Sequence, residues 1–308
     1  MPGYGVSVCY PSGVRSSMEG CNERPPIESK MSAFDGSIPF RRDSRGNRLE
    51  GWTATTVARG HVLWLRGPVE VVQQVTALAP EYRLLPDSVA AGPTWTHALQ
   101  SPSPTVPEPA RVLLVLMTEV VCLPSPPNVD LALALDWYKK PEEGVNPYYW
   151  DNTPTAQLIH SGKYRYKNDG HNQSRVGLQL VDLMCGAIER HGILAQATVV
   201  LDIPGHDSTR VSFGSRVAAT IAQRRVIPMI KVAAKLAFRP EAKNLEESER
   251  LDLLGDQFSV PQRLDGQRAL IADDVFRSGT SMGAVASAAR DAGADMIYGI
   301  CGVRTMRR

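Results

Sequence analysis

The stretch "ALIADDVFRSGTSMGAVASAARDAGA" (residues 269–294) joins a short apolar run, two adjacent aspartates, a polar loop and an alanine-rich segment. The apolar run predicts a buried strand, and the segment after the loop predicts a helix. Adjacent carboxylates at the end of an apolar run are costly unless water or a ligand meets them. We therefore expect Asp273 and Asp274 to face a ligand, although aspartates at a strand end can also simply start a turn or cap a helix.

Outward from this unit, strand and helix signals alternate along the C-terminal half of the chain. The predicted strands are 197–205, 226–233, 268–274 and 295–303, and the predicted helices are 153–164, 174–192, 211–225 and 281–293. Ser174 is a candidate N-cap for its helix, and Gly192 is the glycine that ends it. Because the strands are nearly continuous apolar runs, this alternation predicts an α/β fold, with a parallel sheet covered by helices on both faces.

The N-terminal half has a different character. Residues 1–50 mix Gly, Pro, Ser and charge without a sustained period, and we expect them to be poorly ordered. A strand at 60–67 and a helix at 68–79 follow, and the proline-rich segment 101–109 predicts a loop or linker before the apolar run 111–123. The expected regions are therefore a segment 1–50, an α/β extension or hood 51–145, and the main domain 146–308.

Composition excludes several classes of function. The 308 residues include 43% hydrophobic and 21% charged residues, which is ordinary for a globular protein. A net charge of +2 gives no indication of nucleic acid or an anionic membrane as a partner. The five cysteines are scattered, which favours neither a disulfide framework nor a zinc site. Without a membrane-length apolar run or a signal-peptide pattern, we expect a cytoplasmic protein.

The loop after the two aspartates has the composition of a phosphate site. In open parallel sheets, ligands bind beyond the carboxyl ends of the strands, where loops lead into helix N-termini. Ser278, Thr280 and Ser281 offer hydroxyl groups there, and Gly279 permits a close or left-handed backbone. Two carboxylates beside a phosphate suit the hydroxyls of a sugar, directly or through a bridging metal. A phosphorylated ribose satisfies both halves of this pattern.

The same residues resemble a known family motif. "LIADDVFRSGTSM" (270–282) is similar to the phosphoribosyl-pyrophosphate motif of type I phosphoribosyltransferases, in which two acidic residues precede a Thr-Thr-Gly-x-Thr loop. Here the loop is Arg277-Ser278-Gly279-Thr280-Ser281. Arg277 departs from that motif, but a guanidinium beside a phosphate is chemically sensible.

Three further segments resemble the competence-protein-F branch of that superfamily, in the expected order: 155–169, 199–222 and 235–260. Two stretches depart from the pattern of the branch. The pyrophosphate loop is 203–208, with Ile-Pro-Gly-His-Asp-Ser in place of Pro-Val-Pro, and Val211–Ser215 stands where the branch has Arg-Gly-Phe-Asn. Both differences bear on the acceptor and the rate of the reaction.

The resemblance implies a role for each candidate residue. Asp273 and Asp274 would orient the ribose hydroxyls, and the loop 277–281 would hold the 5′-phosphate. Pyrophosphate would be bound by Pro204, Gly205, His206, Asp207 and Ser208, with His206 or Arg210 assisting. The basic candidates that would close over the site are Lys235, Arg239 and Lys243, and Lys163 is a further one at a helix end. The resemblance also implies Mg²⁺ held mainly by the donor, with few protein ligands.

The function implied is an Mg²⁺-dependent transfer of phosphoribosyl from phosphoribosyl pyrophosphate to a nitrogen acceptor, a nucleobase or a related compound, by an enzyme that is dimeric in most of the family. Two alternatives stay open: a non-catalytic sensor of phosphoribosyl pyrophosphate or nucleotides, and an effector of a toxin or antiphage system. The segment 235–250 could instead be a solvated helix. The aromatic cluster 148–150 could stack on an acceptor or pack in the core. We expect His160, His171 and His191 to lie at the surface.

Overall fold

The structure is a computed structural model that describes residues 47–90, 94–142, 144–146, 148–205, 207, 210–235 and 257–305. Apart from residues 47–50, the expected N-terminal segment lies outside these ranges. Within them, no helix is both long and apolar enough to cross a membrane.

A four-stranded antiparallel sheet forms the first part of the described chain. Its strands are β1 (Gly51–Val57), β2 (Gly60–Arg66), β3 (Arg83–Leu84) and β4 (His97–Ser101), in the order β1-β2-β4-β3. Helices α1 (Val69–Leu78) and α2 (Asp87–Ala90) lie between its strands in the sequence. The predicted strand and helix of this region are therefore present, with Pro68 as the N-cap of α1.

The apolar run 111–123 divides into two elements. Its first part belongs to helix α3 (Glu108–Glu119), and its end forms strand β5 (Val121–Leu123). Strand β6 (Leu131–Trp137) follows, and it was not predicted from the sequence. Both strands belong to the main sheet, although they precede the boundary expected at residue 146.

The main sheet has six strands in the order β5-β6-β12-β11-β7-β8. The later strands are β7 (Val199–Asp202), β8 (Met229–Ile230), β11 (Arg268–Phe276) and β12 (Met296–Arg304). Neighbouring strands are parallel except for the antiparallel pair β5–β6. The predicted α/β class with a parallel sheet is therefore confirmed. A separate pair, β9 (Ala233–Ala234) and β10 (Phe258–Ser259), is antiparallel.

The predicted helices are α4 (Pro154–His160), α5 (Gly170–His191), α6 (Phe213–Arg225) and α7 (Thr280–Asp291), with a π-helical turn at Ser161–Arg165 after α4. Ser174 is not an N-cap, because α5 begins a turn earlier. The side chain of Asp169 accepts a hydrogen bond from the Asn172 backbone instead, and the hydroxyl of Ser174 donates to the Gly170 carbonyl inside the helix. Gly192 ends the helix with a φ of 72°, as predicted.

Helices cover both faces of the sheet. Alternate residues of β11 enter different cores, because side chains along a strand point to opposite faces. Leu270 and Ala272 pack with the face covered by α1, α3, α4, α5 and α6, whereas Ala269 and Ile271 pack with the face covered by α7.

His191 lies in the core, and the prediction that it is a surface residue is wrong. Its Nδ1 accepts a hydrogen bond from the Leu194 backbone N–H, so Nε2 carries the proton that is donated to the side-chain oxygen of Gln74. Gln74 in turn donates to the carbonyl of Ala132 at 3.2 Å. Burial lowers the pKa of His191 to about 3, which keeps the ring neutral. This chain of contacts ties α5 to α1 and β6. His171 is exposed and His160 is partly exposed.

Candidate functional site

Asp273 and Asp274 lie near the carboxyl end of β11, which runs between β12 and β7 in the middle of the sheet. The strand extends to Phe276, slightly beyond the predicted end. Since β12 and β7 are parallel to β11, the loops after these strands open at the same edge of the sheet. This edge is where open parallel sheets bind ligands.

The carboxylate of Asp274 is only 4% exposed and is paired with a lysine. Lys163 Nζ donates to Oδ1 of Asp274 at 2.8 Å, and the second oxygen, Oδ2, is buried with no hydrogen-bond partner among the described residues. Burial alone would lower the pKa of Lys163, but the Asp274 carboxylate outweighs it and the pKa is raised. The lysine therefore stays charged, and one Asp274 oxygen is left as an unused acceptor.

Asp273 is partly exposed, and its Oδ1 accepts a hydrogen bond from the Asp274 backbone N–H at 2.8 Å. Desolvation and the neighbouring Asp274 carboxylate raise the pKa of Asp273 well above its usual range, against the opposing effect of Lys163. The two aspartates therefore resist carrying two negative charges together.

Two glycines let neighbouring elements close on this cluster, and neither was predicted from the sequence to be a residue of the site. A Cβ on Gly162 would lie 2.4 Å from Cε2 of Phe213, and a Cβ on Gly214 would lie 2.8 Å from Oδ1 of Asp273. The π-helical turn that carries Lys163 therefore packs closely on α6, and the first turn of α6 approaches β11 more closely than a larger residue would allow. The signal in the sequence was a glycine inside a helical segment, which is unfavourable unless packing requires it.

The loop Arg277–Ser281 leads directly into α7. Gly279 has a φ of 80°, and a Cβ there would lie 2.7 Å from Cγ of Pro126. The hydroxyls of Ser278 and Thr280 are 2.7 Å apart. No side chain of the described chain caps α7, and the N–H of Gly283 is the first to bond within the helix, to the Gly279 carbonyl. The N–H groups of its first turn are thus available to an anion.

A small cavity of about 70 Å³ joins these groups. Its lining includes Asp273, the loop 277–281, and Ile203 from the segment after β7. Asp273 and the loop, which the sequence predicted to act together, therefore line one space, whereas Asp274 is not part of this lining. Cys301 also lines it, and burial raises the pKa of this thiol far above its usual range.

The segment after β7 opens at the same edge. Asp202 ends this strand, and its Oδ1 accepts a hydrogen bond from the Val232 backbone at 3.2 Å. Pro204, Gly205 and Asp207 are described, whereas the candidates His206 and Ser208 lie outside the described residues. Arg210 is exposed and pairs with Asp207 at 3.5 Å. The structure thus places part of the predicted pyrophosphate loop beside the cavity, through Ile203.

Among the basic candidates, Lys163 pairs with Asp274. Lys235 lies next to β9, where its backbone N–H donates to the Gln257 carbonyl at 2.8 Å. Arg239 and Lys243 lie outside the described residues.

The aromatic cluster divides between core and surface. Trp150 is buried, and its indole N–H donates to the carbonyls of Glu142 and Val145. Tyr148 and Tyr149 are 66% and 50% exposed, and their rings meet edge to face at 5.3 Å. They follow β6, whose carboxyl end lies at the same edge of the sheet as the cavity.

Comparison with known proteins gives structural similarity only. No protein-family model matches the chain. No curated protein matches it either. Among solved structures, the chain is similar to the purine phosphoribosyltransferase of Pyrococcus horikoshii, with 13% identity and a TM-score of 0.28 over 42% of this chain and 81% of that chain.

Two adenine phosphoribosyltransferases are also similar. That of Thermoanaerobacter pseudethanolicus has 17% identity and a TM-score of 0.31, over 55% of this chain and 92% of that chain. That of Leishmania tarentolae has 10% identity and a TM-score of 0.35, over 60% of this chain and 94% of that chain. The function proposed below is carried by the residues of the site.

Proposed function

We propose that the chain is a phosphoribosyltransferase, which moves a 5-phosphoribosyl group from phosphoribosyl pyrophosphate to a nitrogen acceptor and releases pyrophosphate. The observation that carries this proposal is a single cavity lined by both Asp273 and the loop that opens α7. A carboxylate pair suits sugar hydroxyls, and a helix N-terminus suits a phosphate. The distance between these groups on the chain is short, as the 5′-phosphate and the hydroxyls of one ribose require.

The 5′-phosphate would lie against the first turn of α7. Its oxygens would accept hydrogen bonds from backbone N–H groups and from the hydroxyls of Ser278, Thr280 and Ser281. Arg277, at the start of the loop, would add a charge-assisted hydrogen bond. Gly279 supports this role because its left-handed conformation turns the chain sharply into the helix.

The ribose would donate its hydroxyl hydrogen bonds to the aspartates. Asp274 supports this because it has an oxygen without a partner within the described chain, while Lys163 holds the other oxygen. As the bond from C1 to the pyrophosphate oxygen breaks, pyrophosphate leaves with the electron pair and C1 becomes cationic. The acceptor nitrogen then forms the new bond to C1 and loses its proton to solvent. The carboxylates would stabilise the positive charge, so no protein nucleophile is needed.

Mg²⁺ is part of the proposal. Carboxylate oxygens are ligands that Mg²⁺ prefers, and Asp273 and Asp274 therefore fit the ion. Within the described ranges, no three His, Cys, Asp or Glu side chains are grouped to hold a metal. In this proposal the donor would supply most of the ligands, and a bound Mg²⁺ would supply positive charge beside the pyrophosphate.

The finer assignments are also proposals. Pyrophosphate would bind to the segment 204–208, and the basic residues Lys235, Arg239 and Lys243 would close over the site. Membership of the competence-protein-F branch, a homodimer and a cytoplasmic location belong to the same proposal, supported by the resemblance of the segments 155–169, 199–222 and 235–260 to that branch.

Two measurements test the function. Calorimetry with Mg²⁺ should show binding of phosphoribosyl pyrophosphate. Asp274→Asn should lower the turnover rate by about 100-fold or more. Asp265→Asn is the matched control, since this exposed aspartate pairs with Arg263 elsewhere on the surface. Pyrophosphate release should then be screened across nucleobases, amines and aromatic acids.

The results separate the alternatives. Donor binding without pyrophosphate release against any acceptor would favour the sensor, for which the departures in the pyrophosphate loop already argue. If the parent protein does not bind the donor, and Asp274→Asn changes neither donor binding nor pyrophosphate release, both the transferase and the sensor are refuted.

A further inference from the structure

A second and larger cleft, of about 700 Å³, opens at the opposite edge of the main sheet, where its strands begin. Its lining includes Leu131, Met296 and Arg268, which start β6, β12 and β11, together with Leu78 from the last turn of α1. Arg268 and Asp273 lie on the same strand, roughly 17 Å apart at the usual rise per residue. The cleft has the volume of a small-molecule site and is separate from the site described above.

One hydroxyl group at this cleft has no hydrogen-bond partner among the described residues. Tyr298 lines the cleft and is 2% exposed, and its hydroxyl makes no hydrogen bond to any residue that the structure describes. Burial raises the pKa of Tyr298, Arg268 opposes that rise, and Asp130 and Asp295 add to it. All three of these charged residues line the same cleft as Tyr298. Because Tyr298 lines the cleft and its hydroxyl has no partner in the described chain, the hydroxyl is free to donate a hydrogen bond to a ligand there.

Two oppositely charged side chains at the rim of the cleft, Arg268 and Asp295, could each pair with a charged group of a ligand. Arg268 donates through Nη1 to the side-chain oxygen of Gln196 at 2.8 Å, and no carboxylate of the described chain pairs with it. The carboxylate of Asp295 is exposed and has no ion pair or hydrogen bond within the same ranges. Asp130 differs, because its Oδ2 already accepts from Arg290 at 2.6 Å and from the Ile297 backbone at 2.7 Å.

The floor of the cleft is apolar. It is formed by Leu78, Leu131, Ile193, Met296 and the ring of Tyr298. A ligand of a single charge would meet one rim group of its own sign, since Arg268 and Asp295 line the same cleft. A ligand that carries both charges would pair with each, and a flat apolar body would cover the floor.

We propose that this cleft binds a small aromatic zwitterion, the chemical class of aromatic amino acids. The anionic group of the ligand accepts hydrogen bonds from Arg268 and the Tyr298 hydroxyl. Its ammonium group donates to Asp295, and its aromatic body packs on Leu78 and Ile193.

Calorimetry with three matched probes tests this proposal. L-tryptophan carries both charges, indole-3-propionate lacks the ammonium and tryptamine lacks the carboxylate. We expect tryptophan to bind more tightly than either. Arg268→Gln should lower the affinity for tryptophan by about tenfold or more, because a charge-assisted hydrogen bond is lost. Tyr298→Phe should lower this affinity about 3- to 10-fold. Asp295→Asn should weaken the binding of tryptophan and of tryptamine but not the binding of indole-3-propionate.

Arg111→Gln is the control, since this exposed arginine lies on α3 and pairs with Glu108. It should leave tryptophan binding unchanged, and all the variants should keep the thermal stability of the parent protein without ligand. None of these residues touches the aspartate pair, so donor binding there should also be unaffected. Failure of tryptophan to bind, or binding that is insensitive to both Arg268→Gln and Tyr298→Phe, would overturn the proposal.

Discussion

Lys163 Nζ lies 2.8 Å from Oδ1 of Asp274, although 111 residues separate the two along the chain. The contact fixes the π-helical turn after α4 against β11 at the carboxyl edge of the sheet. It also places a permanent positive charge beside a carboxylate that is almost entirely buried.

Replacing this lysine should be costly. Lys163→Met leaves the Asp274 carboxylate buried without its cation, and we expect a loss of about 2–3 kcal/mol in the free energy of unfolding. This is somewhat below the value for a fully buried pair, because the lysine is partly exposed. Urea denaturation measures the loss. In the double variant with Asp274→Asn, where no buried charge is stranded, part of the stability should return.

The exposed pair Arg111–Glu108 offers a comparison. Arg111→Met should change the urea midpoint very little, because solvent screens both charges. Equal effects of the two substitutions would mean that burial of Asp274 contributes nothing to the strength of the Lys163 contact.

Gly279 should not tolerate a side chain. Gly279→Ala places a Cβ 2.7 Å from Pro126 at a φ of 80°, so both backbone strain and a steric clash oppose it. Gly266 has a φ of 70°, and a Cβ there would meet no atom within 4 Å, so Gly266→Ala isolates the backbone strain. We expect about 1 kcal/mol for Gly266→Ala and about 2–3 kcal/mol for Gly279→Ala in urea denaturation. Equal losses would show that Pro126 moves aside without cost.

Gly162 and Gly186 form a second pair with opposite expectations. Gly186 lies inside α5 with open space around it, so Gly186→Ala should stabilise the protein by about 0.5–1 kcal/mol through helix propensity. Gly162→Ala should destabilise it, because the new Cβ overlaps the ring of Phe213. Thermal denaturation of both variants measures the difference in sign. A stabilised Gly162→Ala variant would mean that the Phe213 ring can shift freely.

Stability should depend on the protonation of His191. The unfolded chain binds a proton at this residue below about pH 6.5, whereas the folded protein does so only near its lowered pKa of about 3. The contribution of the buried neutral ring is therefore complete above pH 6.5 and falls as the pH decreases toward 3, by up to about 1.4 kcal/mol per pH unit.

Urea denaturation between pH 8 and pH 4 measures this dependence. His191→Gln should have a shallower decline with acid than the parent protein, whereas His171→Gln, at an exposed position, should retain the parent slope. A parent slope that His191→Gln leaves unchanged would place the acid sensitivity elsewhere.

The strand–loop–helix unit at 269–294 was predictable because each part has a local signal. An apolar run, a glycine and a small-residue helix follow one another, and the structure has β11, Gly279 and α7 in that order. Strand β6 was missed because "LALALDW" is apolar without a period that separates a short buried strand from a helix. Its identity depends on pairing with β12, far away in the sequence.

Contacts between distant segments could not be predicted from the sequence for the same reason. Lys163 was a candidate because of its charge, but nothing local indicated Asp274 as its partner. His191 was expected at the surface, and its burial depends on Gln74, which is 117 residues away. The sequence pattern indicates the elements and the chemistry at their ends, whereas the partner of each buried polar group is decided by tertiary packing.

The order of strands in the main sheet has a consequence for how the protein is made. Strands β6 and β7 do not touch, because β12 and β11 lie between them, and these are the last strands of the sheet to leave the ribosome. During synthesis, the earlier strands must wait with unpaired backbone edges and exposed apolar faces until residues 268–304 emerge. The centre of the sheet and the aspartate pair at its edge therefore arise in the same late step.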